Sequence, residues 1–203
     1  MAQRPAPPGV VLAGGRATRL PGKPLAALAG VPLISYPVEA LREAGVEPVI
    51  AAKVGDQELR GYADSAGARI LDEPQDPVHP LFGVAHALQE LERPVVVVAA
   101  DMPFVPAALL AHLSAQTPAP GGATVVEAGG RLEPLLGCYD PGALDHLRAA
   151  VDAGAPAQRA LRSLGPLLTV IGEAGLSLYG DPERIVRDVD DDAALTAAEI
   201  DLA

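Results

Sequence analysis

One uninterrupted apolar run, Val95 to Ala100, constrains the fold of this chain more than any other stretch. Its four consecutive valines favour an extended strand because β-branched side chains pack well on a pleated surface. Strand side chains alternate between two faces, so an all-apolar strand needs cover on both, as at the centre of a parallel sheet. The run is too short to cross a bilayer. It therefore predicts a central, fully buried strand.

Strand and helix patterns alternate along the first 117 residues. The predicted strands are 10–12, 46–52, 69–71 and 94–100, and the predicted helices are 32–44, 57–66, 81–91 and one that ends near residue 115. Short buried strands that alternate with helices are typical of parallel sheets with helical crossovers. We therefore expect an α/β fold, with a Rossmann-like, doubly wound and mostly parallel sheet in three layers.

The second half begins after a proline and glycine cluster at 118–122. Strands are predicted at 123–127 and 134–139, joined as a hairpin through Gly129 and Gly130, and a further strand at 167–171. Helices are predicted at 141–152, at 156–164 and at the acidic C-terminal end, whereas 172–180 is loop-like. No linker divides the chain, so we expect a single domain over residues 9–203. Residues 1–8 lack an apolar signal-peptide core and are expected to be a disordered lead-in.

The first predicted strand runs into a glycine pair, Gly14 and Gly15, that is followed by Arg16, Arg19 and Lys23. Glycine lets backbone N–H groups close around anionic oxygens, and the three cations add positive charge. The first 38 residues contain no Asp or Glu, although the whole chain has a net charge of −11. This local excess of positive charge predicts a site for an anion such as a polyphosphate.

Two familiar phosphate-binding loops do not match this turn. A P-loop places four residues between its first glycine and Gly-Lys, and then Ser or Thr; here six residues separate Gly15 from Gly22, and Pro24 follows Lys23. A dinucleotide-binding turn needs Gly-x-Gly-x-x-Gly, and Gly14-Gly15-Arg16-Ala17-Thr18 does not match that pattern. The glycine pair alone is equally compatible with an ordinary strand-to-loop turn.

Composition excludes several classes of function. An acidic chain with a pI near 4.7 lacks the basic face that nucleic acids or anionic membrane surfaces require, so we expect neither partner. The single cysteine, Cys138, lies in an apolar run and is expected to be buried and inert, with no disulfide or thiolate metal cluster. The four histidines show no metal-binding spacing. We expect a soluble, cytoplasmic protein.

Asp101 directly follows the central strand. In an open parallel sheet, ligands bind beyond the carboxyl ends of the strands, where the glycine turn also lies. Magnesium prefers one or two carboxylates together with phosphate oxygens and water. Asp101 is therefore a candidate magnesium ligand facing the anion site; the alternative is that it only caps the next helix.

Five segments of the chain resemble the molybdenum cofactor guanylyltransferases, a branch of the wider class of nucleotidyltransferases. They are Leu12-Ala-Gly-Gly-x-x-x-Arg19, Lys23-Pro-Leu, Gly30-Val-Pro-Leu33, Ala100-Asp-Met-Pro103 and Arg131-Leu-Glu-Pro-Leu-Leu-Gly-Cys-Tyr139. The resemblance covers nearly the whole chain. It implies a magnesium-dependent enzyme that transfers GMP from GTP to molybdopterin and releases pyrophosphate. It also implies a nucleotide-binding half at 9–117, an acceptor-binding half at 118–203, and transient contact with molybdoenzymes or cofactor-insertion proteins.

The resemblance assigns roles to particular residues. It implies that the nucleotide is lined by Leu12, Ala13, Gly14, Gly15, Lys23, Asp72 and Asp101. Arg19 and Lys23 are expected to hold the phosphates and, with Asp101, to be catalytic. Asp101 is also the expected magnesium ligand, and Asp190 is a second candidate for the metal.

Several positions depart from the family pattern. The loop between Arg19 and Lys23 is shorter than usual, and His79 stands where a glycine is typical. Asp188 and Asp190 replace asparagines, as they also do in cytidylyl relatives, and Lys53 either touches the nucleotide or is simply exposed. The alternatives are therefore another base or acceptor (CTP with molybdopterin, cobinamide phosphate or a sugar phosphate) or an inactive nucleotide-binding subunit.

Overall fold

A seven-stranded sheet is the framework of the computed structural model, which describes residues 6–15 and 22–202. Its strands, in chain order, are β1 (Gly9–Leu12), β4 (Pro48–Lys53), β5 (Arg69–Glu73), β6 (Val95–Ala99), β7 (Ala123–Ala128), β8 (Arg131–Tyr139) and β9 (Leu168–Ile171). A separate small hairpin pairs β2 (Ala27–Leu28) with β3 (Val31–Pro32). Lys23–Leu25, Pro141–Ala143 and Gly165–Leu167 are short 3-10 helices.

Helices cover both faces of this sheet. They are α1 (Ser35–Glu43), α2 (Gln57–Ala66), α3 (Pro80–Leu91), α4 (Ala107–Ala115), α5 (Leu144–Asp152), α6 (Ala157–Arg162), α7 (Glu173–Leu176), α8 (Pro182–Ile185) and α9 (Asp192–Leu202). Within the described part of the chain, no helix has the length and apolar character that a membrane span requires.

The strand order β5-β4-β1-β6-β8-β7-β9 places β6 in the middle of the sheet. β6 is parallel to β1 on one side and antiparallel to β8 on the other, and β8 is the only antiparallel strand among the seven. The predicted central position and the predicted fold class are both confirmed. The antiparallel neighbour arises because the β7–β8 hairpin returns β8 beside β6.

The alternation of side chains along β6 builds a core on each face. Val96 and Val98 pack with α1 and α4 on one face, while Val95 and Val97 pack with α3 and α5 on the other. All four valines are fully buried. The unbroken valine run is therefore explained by two apolar layers that enclose one strand.

Two stretches differ from the sequence prediction. The helix predicted over 32–44 starts only at Ser35, because the chain first forms the β2–β3 hairpin around Gly30, whose φ of 85° suits glycine. The stretch 172–180 contains α7 rather than only a loop. Helix α2 matches its prediction: the Asp56 carboxylate accepts from the Leu59 N–H over 3.0 Å, and Gly67 ends the helix.

The start of the chain joins the sheet before β1. The Val96 N–H donates to the carbonyl oxygen of Pro8, and an Arg93 guanidinium N–H donates to that of Ala6. The lead-in expected to be disordered over residues 1–8 thus has hydrogen bonds at Ala6 and Pro8; residues 1–5 lie outside the described residues.

Candidate active site

A cavity of about 350 Å³ opens at the carboxyl ends of β1, β4, β5 and β6. These strands are parallel, so the residues that follow them meet at one edge of the sheet. Of the predicted site residues, the cavity is lined by Leu12, Ala13, Gly14, Gly15, Lys23, Asp101 and Asp190. Arg19 and its neighbour Arg16 lie outside the described residues.

Lys23 joins the two predicted metal-binding acids. Its ammonium group donates hydrogen bonds to Asp101 Oδ2 and to Asp190 Oδ1, so both carboxylates converge on one point. Lys23 is only 9% exposed, and Gly22, with a φ of 65°, turns the chain into the 3-10 helix on which Lys23 lies. Three charged groups are thus held together at one end of the cavity.

This arrangement keeps Lys23 charged. Burial alone lowers the pKa of an ammonium group, but the neighbouring Asp101 and Asp190 carboxylates raise the pKa of Lys23 by more, so the net change is upward. A lysine in this state supplies fixed positive charge beside the glycine turn.

Asp190 reaches the site from the far end of the chain, 167 positions from Lys23. The Val189 N–H donates to the carbonyl oxygen of Asp101 over 2.9 Å, which fixes the backbone next to Asp190. Val189 itself is buried in a small apolar cluster with Leu28 and Leu33 from the region of the β2–β3 hairpin.

Further acids lie near the carboxylate pair on the side of β8. Burial raises the pKa of Glu133 to about 7, and the negative charges of Asp188 and Asp101 add to the rise. Burial also raises the pKa of Asp188, with Asp190 and Asp101 as further causes. Negative charge is therefore crowded at this end of the cavity, a situation that a cation would relieve.

The residues of this site fit a magnesium ion that is held in part by the phosphates of a bound substrate. Among residues 6–15 and 22–202, no three His, Cys, Asp or Glu side chains form a group that could hold a metal by themselves. Asp101 and Asp190 both bond the Lys23 ammonium group here, and they are ligands of the type that magnesium takes from proteins when phosphate and water supply the rest.

An ion pair that the sequence analysis did not identify also lines the cavity, next to the glycine turn. Lys53 Nζ donates to Glu73 Oε1 over 2.6 Å and to the Pro74 carbonyl oxygen over 2.7 Å, and it lies 5.2 Å from the centroid of the Phe82 ring. Glu73 is 5% exposed. Lys53 is therefore a paired, mostly buried cavity residue and not a simply exposed one.

The placement of Asp72 differs from the expectation. Asp72 is exposed, pairs with Arg60 of α2, and does not line the cavity, whereas the next residue, Glu73, does. Successive residues of a strand point to opposite faces, so only one of these two acids can face the cavity. The sequence could have indicated this, because the apolar Leu71 lies two positions before Glu73 and therefore shares its face of the strand.

The glycine turn lies directly against this ion pair. A Cβ atom on Gly14 would be 2.5 Å from Glu73 Oε2, a distance that atoms cannot adopt without a shift, whereas a Cβ on Gly15 would meet no described atom within 4 Å. A larger residue at position 14 would thus force the Glu73 carboxylate to move, whereas Gly15 leaves open space.

A family model described as the MobA-like NTP transferase domain matches residues 9–167. The chain belongs to this family. It is a nucleotidyltransferase, and the resemblance drawn from its motifs is confirmed.

Sequence relatives agree with this membership. The molybdenum cofactor guanylyltransferase of Pseudomonas putida is 31% identical over 182 residues, which cover 87% of this chain and 94% of that protein. The bifunctional protein GlmU of Trichlorobacter lovleyi is 34% identical over 130 residues, which cover 58% of this chain but only 27% of that longer protein.

Solved structures show the same fold. Molybdopterin-guanine dinucleotide biosynthesis protein A from Archaeoglobus fulgidus superposes with a TM-score of 0.73 at 23% identity and covers 96% of this chain and 97% of its own. A nucleotidyl transferase from Methanothermobacter superposes with a TM-score of 0.73 at 17% identity, covering 98% of each chain.

Proposed function

We propose that this nucleotidyltransferase transfers GMP from GTP to molybdopterin with magnesium and releases pyrophosphate. The observation that carries the proposal is the convergence of Asp101 and Asp190 on Lys23 beside the glycine turn. The choice of base and acceptor rests on the molybdenum cofactor guanylyltransferases that match most of the chain.

The charges of the cavity support a defined direction for the nucleotide. Its triphosphate belongs beside Lys23 and the open space at Gly15, and its base belongs along the wall that Lys53, Val78 and Pro80 form. Arg19 lies outside the described residues and stays a prediction from the sequence as a second phosphate-binding cation. The acceptor then approaches from the side of β8, where Leu135 lines the cavity.

The reaction needs no protein base. The phosphate monoester of the acceptor has a second pKa near 6, so its oxygen is already largely deprotonated at pH 7. That oxygen attacks the α-phosphorus of the nucleotide; the bond from the α-phosphorus to the bridging oxygen breaks, and pyrophosphate leaves with the electron pair.

The protein contributes charge and position. Two anions must meet, and negative charge builds on the α-phosphate and on the leaving pyrophosphate. The Lys23 ammonium and the N–H groups of the glycine turn offset that charge. When magnesium is bound, it neutralises phosphate charge, with Asp101 and Asp190 as the residues that would hold it.

Pyrophosphate release with each nucleoside triphosphate and each acceptor in turn tests the proposal. The expected result is turnover with GTP and molybdopterin, dependent on magnesium and much slower with CTP, ATP or UTP. Preference for CTP, or turnover only with a sugar phosphate or cobinamide phosphate, would show that the enzyme catalyses a different nucleotidyl transfer with the same fold. Nucleotide binding without pyrophosphate release for any acceptor would indicate an inactive binding subunit.

A further inference from the structure

His79 bridges two parts of the chain that are remote in sequence. Its ring Nδ1 accepts from the Leu81 N–H over 3.1 Å, and its Nε2 lies 2.8 Å from the carbonyl oxygen of Ala155. Leu81 belongs to the first turn of α3, and Ala155 lies in the turn between α5 and α6. One side chain thus connects the wall of the cavity to the helices behind it.

These two contacts assign the tautomer of the ring. A backbone N–H can only donate, so Nδ1 is the acceptor for Leu81; a carbonyl oxygen can only accept, so Nε2 is the donor to Ala155. The contacts therefore match the tautomer with its proton on Nε2. The opposite tautomer would lose both bonds.

His79 also decides what the start of α3 offers to a ligand. Pro80 has no N–H, the Leu81 N–H is bonded to the imidazole, and the Phe82 N–H donates to the His79 carbonyl oxygen over 3.0 Å. The N–H groups at these positions are already used within the protein. The start of α3 is therefore suited to an uncharged group such as a base, and not to phosphate.

The segment that His79 holds is the cavity wall itself. Val78, His79, Pro80 and Gly83 line the cavity on the side of the Lys53–Glu73 pair. Val78 is 47% exposed, so packing by its own side chain contributes little to the position of this segment. The two hydrogen bonds of His79 connect the segment to α3 and to the α5–α6 turn.

We propose that His79 is a positioning residue that holds the base-facing wall of the nucleotide site through its bond to Ala155. This inference rests on the proposed function, because it needs a nucleotide in the cavity. Loss of the bond leaves the wall displaced and weakens nucleotide binding. The chemistry at Lys23 and Asp101 is unchanged, because the two side-chain hydrogen bonds of His79 go to Leu81 and Ala155 and not to these residues.

Two substitutions separate the two bonds of His79. His79→Asn retains a side-chain oxygen that can cap α3, but it is too short to reach Ala155 as well; His79→Ala loses both bonds. Asp56→Ala is the matched control, since it removes the N-cap of α2, a helix whose cap does not line the cavity.

The kinetic experiment measures KM and kcat for GTP and CTP, together with melting temperature. Loss of the bond to Ala155 is expected to raise the KM for GTP, about fivefold to thirtyfold in His79→Ala, with kcat within twofold. His79→Asn should recover the melting temperature but keep most of the rise in KM. Asp56→Ala should lower the melting temperature with no rise in KM, and a KM for His79→Ala equal to that of Asp56→Ala overturns the inference.

A second measurement does not depend on turnover. Nitrogen-15 NMR of the histidine rings should show His79 as the Nε2–H tautomer and should show its signals moving when magnesium–GTP is added. His146, whose Nε2 bonds the Ala160 carbonyl oxygen away from the cavity, should not move. The inference is refuted, and the proposed function is not, if His79 is the opposite tautomer. The same holds if the His79 signals do not move while calorimetry detects nucleotide binding. Absence of any nucleotide binding by the unmodified protein refutes the proposed function and the inference with it.

Discussion

The Val189 N–H donates to the carbonyl oxygen of Asp101 over 2.9 Å, and this bond brings the C-terminal segment to the end of the central strand. Because Asp190 follows Val189, the bond also places the second carboxylate beside Lys23. The same segment is held from the other side by Phe104, whose ring lies 4.8 Å from the Arg184 Cζ and 4.5 Å from the Arg187 Cζ.

Phe104→Leu is expected to loosen the segment that carries Asp190. Leucine keeps an apolar side chain but has no π-face for the two guanidinium groups, each contact being worth about 0.5 to 1 kcal/mol. We expect faster amide hydrogen exchange over 186–190 and a turnover at least threefold lower. Phe104→Tyr keeps the π-face and should behave as the unmodified protein; equal exchange in both variants would contradict this role.

Asp101→Asn is expected to reduce turnover by about a hundredfold to a thousandfold, because it removes a carboxylate charge that pairs with Lys23 and would hold magnesium, while keeping the side chain's shape. Pyrophosphate release at saturating GTP, acceptor and magnesium measures the effect. Asp145→Asn, an exposed acid on α5, changes the net charge equally and should leave turnover unchanged. Near-normal, magnesium-dependent turnover of Asp101→Asn would show that this aspartate is misassigned.

Glu73→Gln and Asp72→Asn compare adjacent acids that point to opposite faces of β5. Glu73→Gln leaves the mostly buried Lys53 ammonium without its anionic partner and should cost about 2 to 4 kcal/mol of unfolding free energy, with weaker nucleotide binding. Asp72→Asn breaks only a surface pair with Arg60 and should cost less than about 1 kcal/mol. Denaturant unfolding and calorimetry with GTP measure both, and an equal loss in the two variants would count against the assigned faces.

Gly14→Ala should disturb the site more than Gly15→Ala. The added methyl group on Gly14 collides with the Glu73 carboxylate, so we expect a loss of about 1 to 3 kcal/mol in unfolding free energy and weaker binding of GTP. A methyl group on Gly15 meets no described atom, so its stability should change by about 0.5 kcal/mol or less. Thermal and denaturant unfolding compare the two, and the reverse order would contradict the packing of Gly14.

Glu133→Gln is expected to stabilise the protein in a pH-dependent way. Burial raises the pKa of Glu133 from an ordinary 4.5 to about 7, so the folded state disfavours its anion. The unmodified protein therefore loses stability as the pH rises from about 4.5 to 7, and the loss is complete above pH 7. Unfolding in the presence of a chelator should show Glu133→Gln more stable by about 1 to 3 kcal/mol at pH 8 and nearly equal at pH 5. A difference that is the same at both pH values would contradict the raised pKa.

Local pattern in the sequence determined the framework. The strands and helices depend on which residues favour extended or helical backbone. The central place of β6 depends on its valine run, which needs apolar cover on both faces. Backbone preference and the need for cover can each be read from neighbouring positions in the sequence. The glycine turn and Asp101 were found for the same reason, since each directly follows a predicted strand and strand ends meet at one edge of a parallel sheet.

Only the tertiary structure decided which side chains meet in the cavity. Asp190 joins Lys23 across 167 positions because a backbone bond from Val189 to Asp101 holds it there. Glu73 rather than Asp72 faces the cavity because one strand face turns toward the glycine turn and α3, and the other turns toward α2. The sequence determines that successive side chains of a strand lie on opposite faces of the sheet. Which face lies toward the cavity depends on packing between elements that are remote in the sequence.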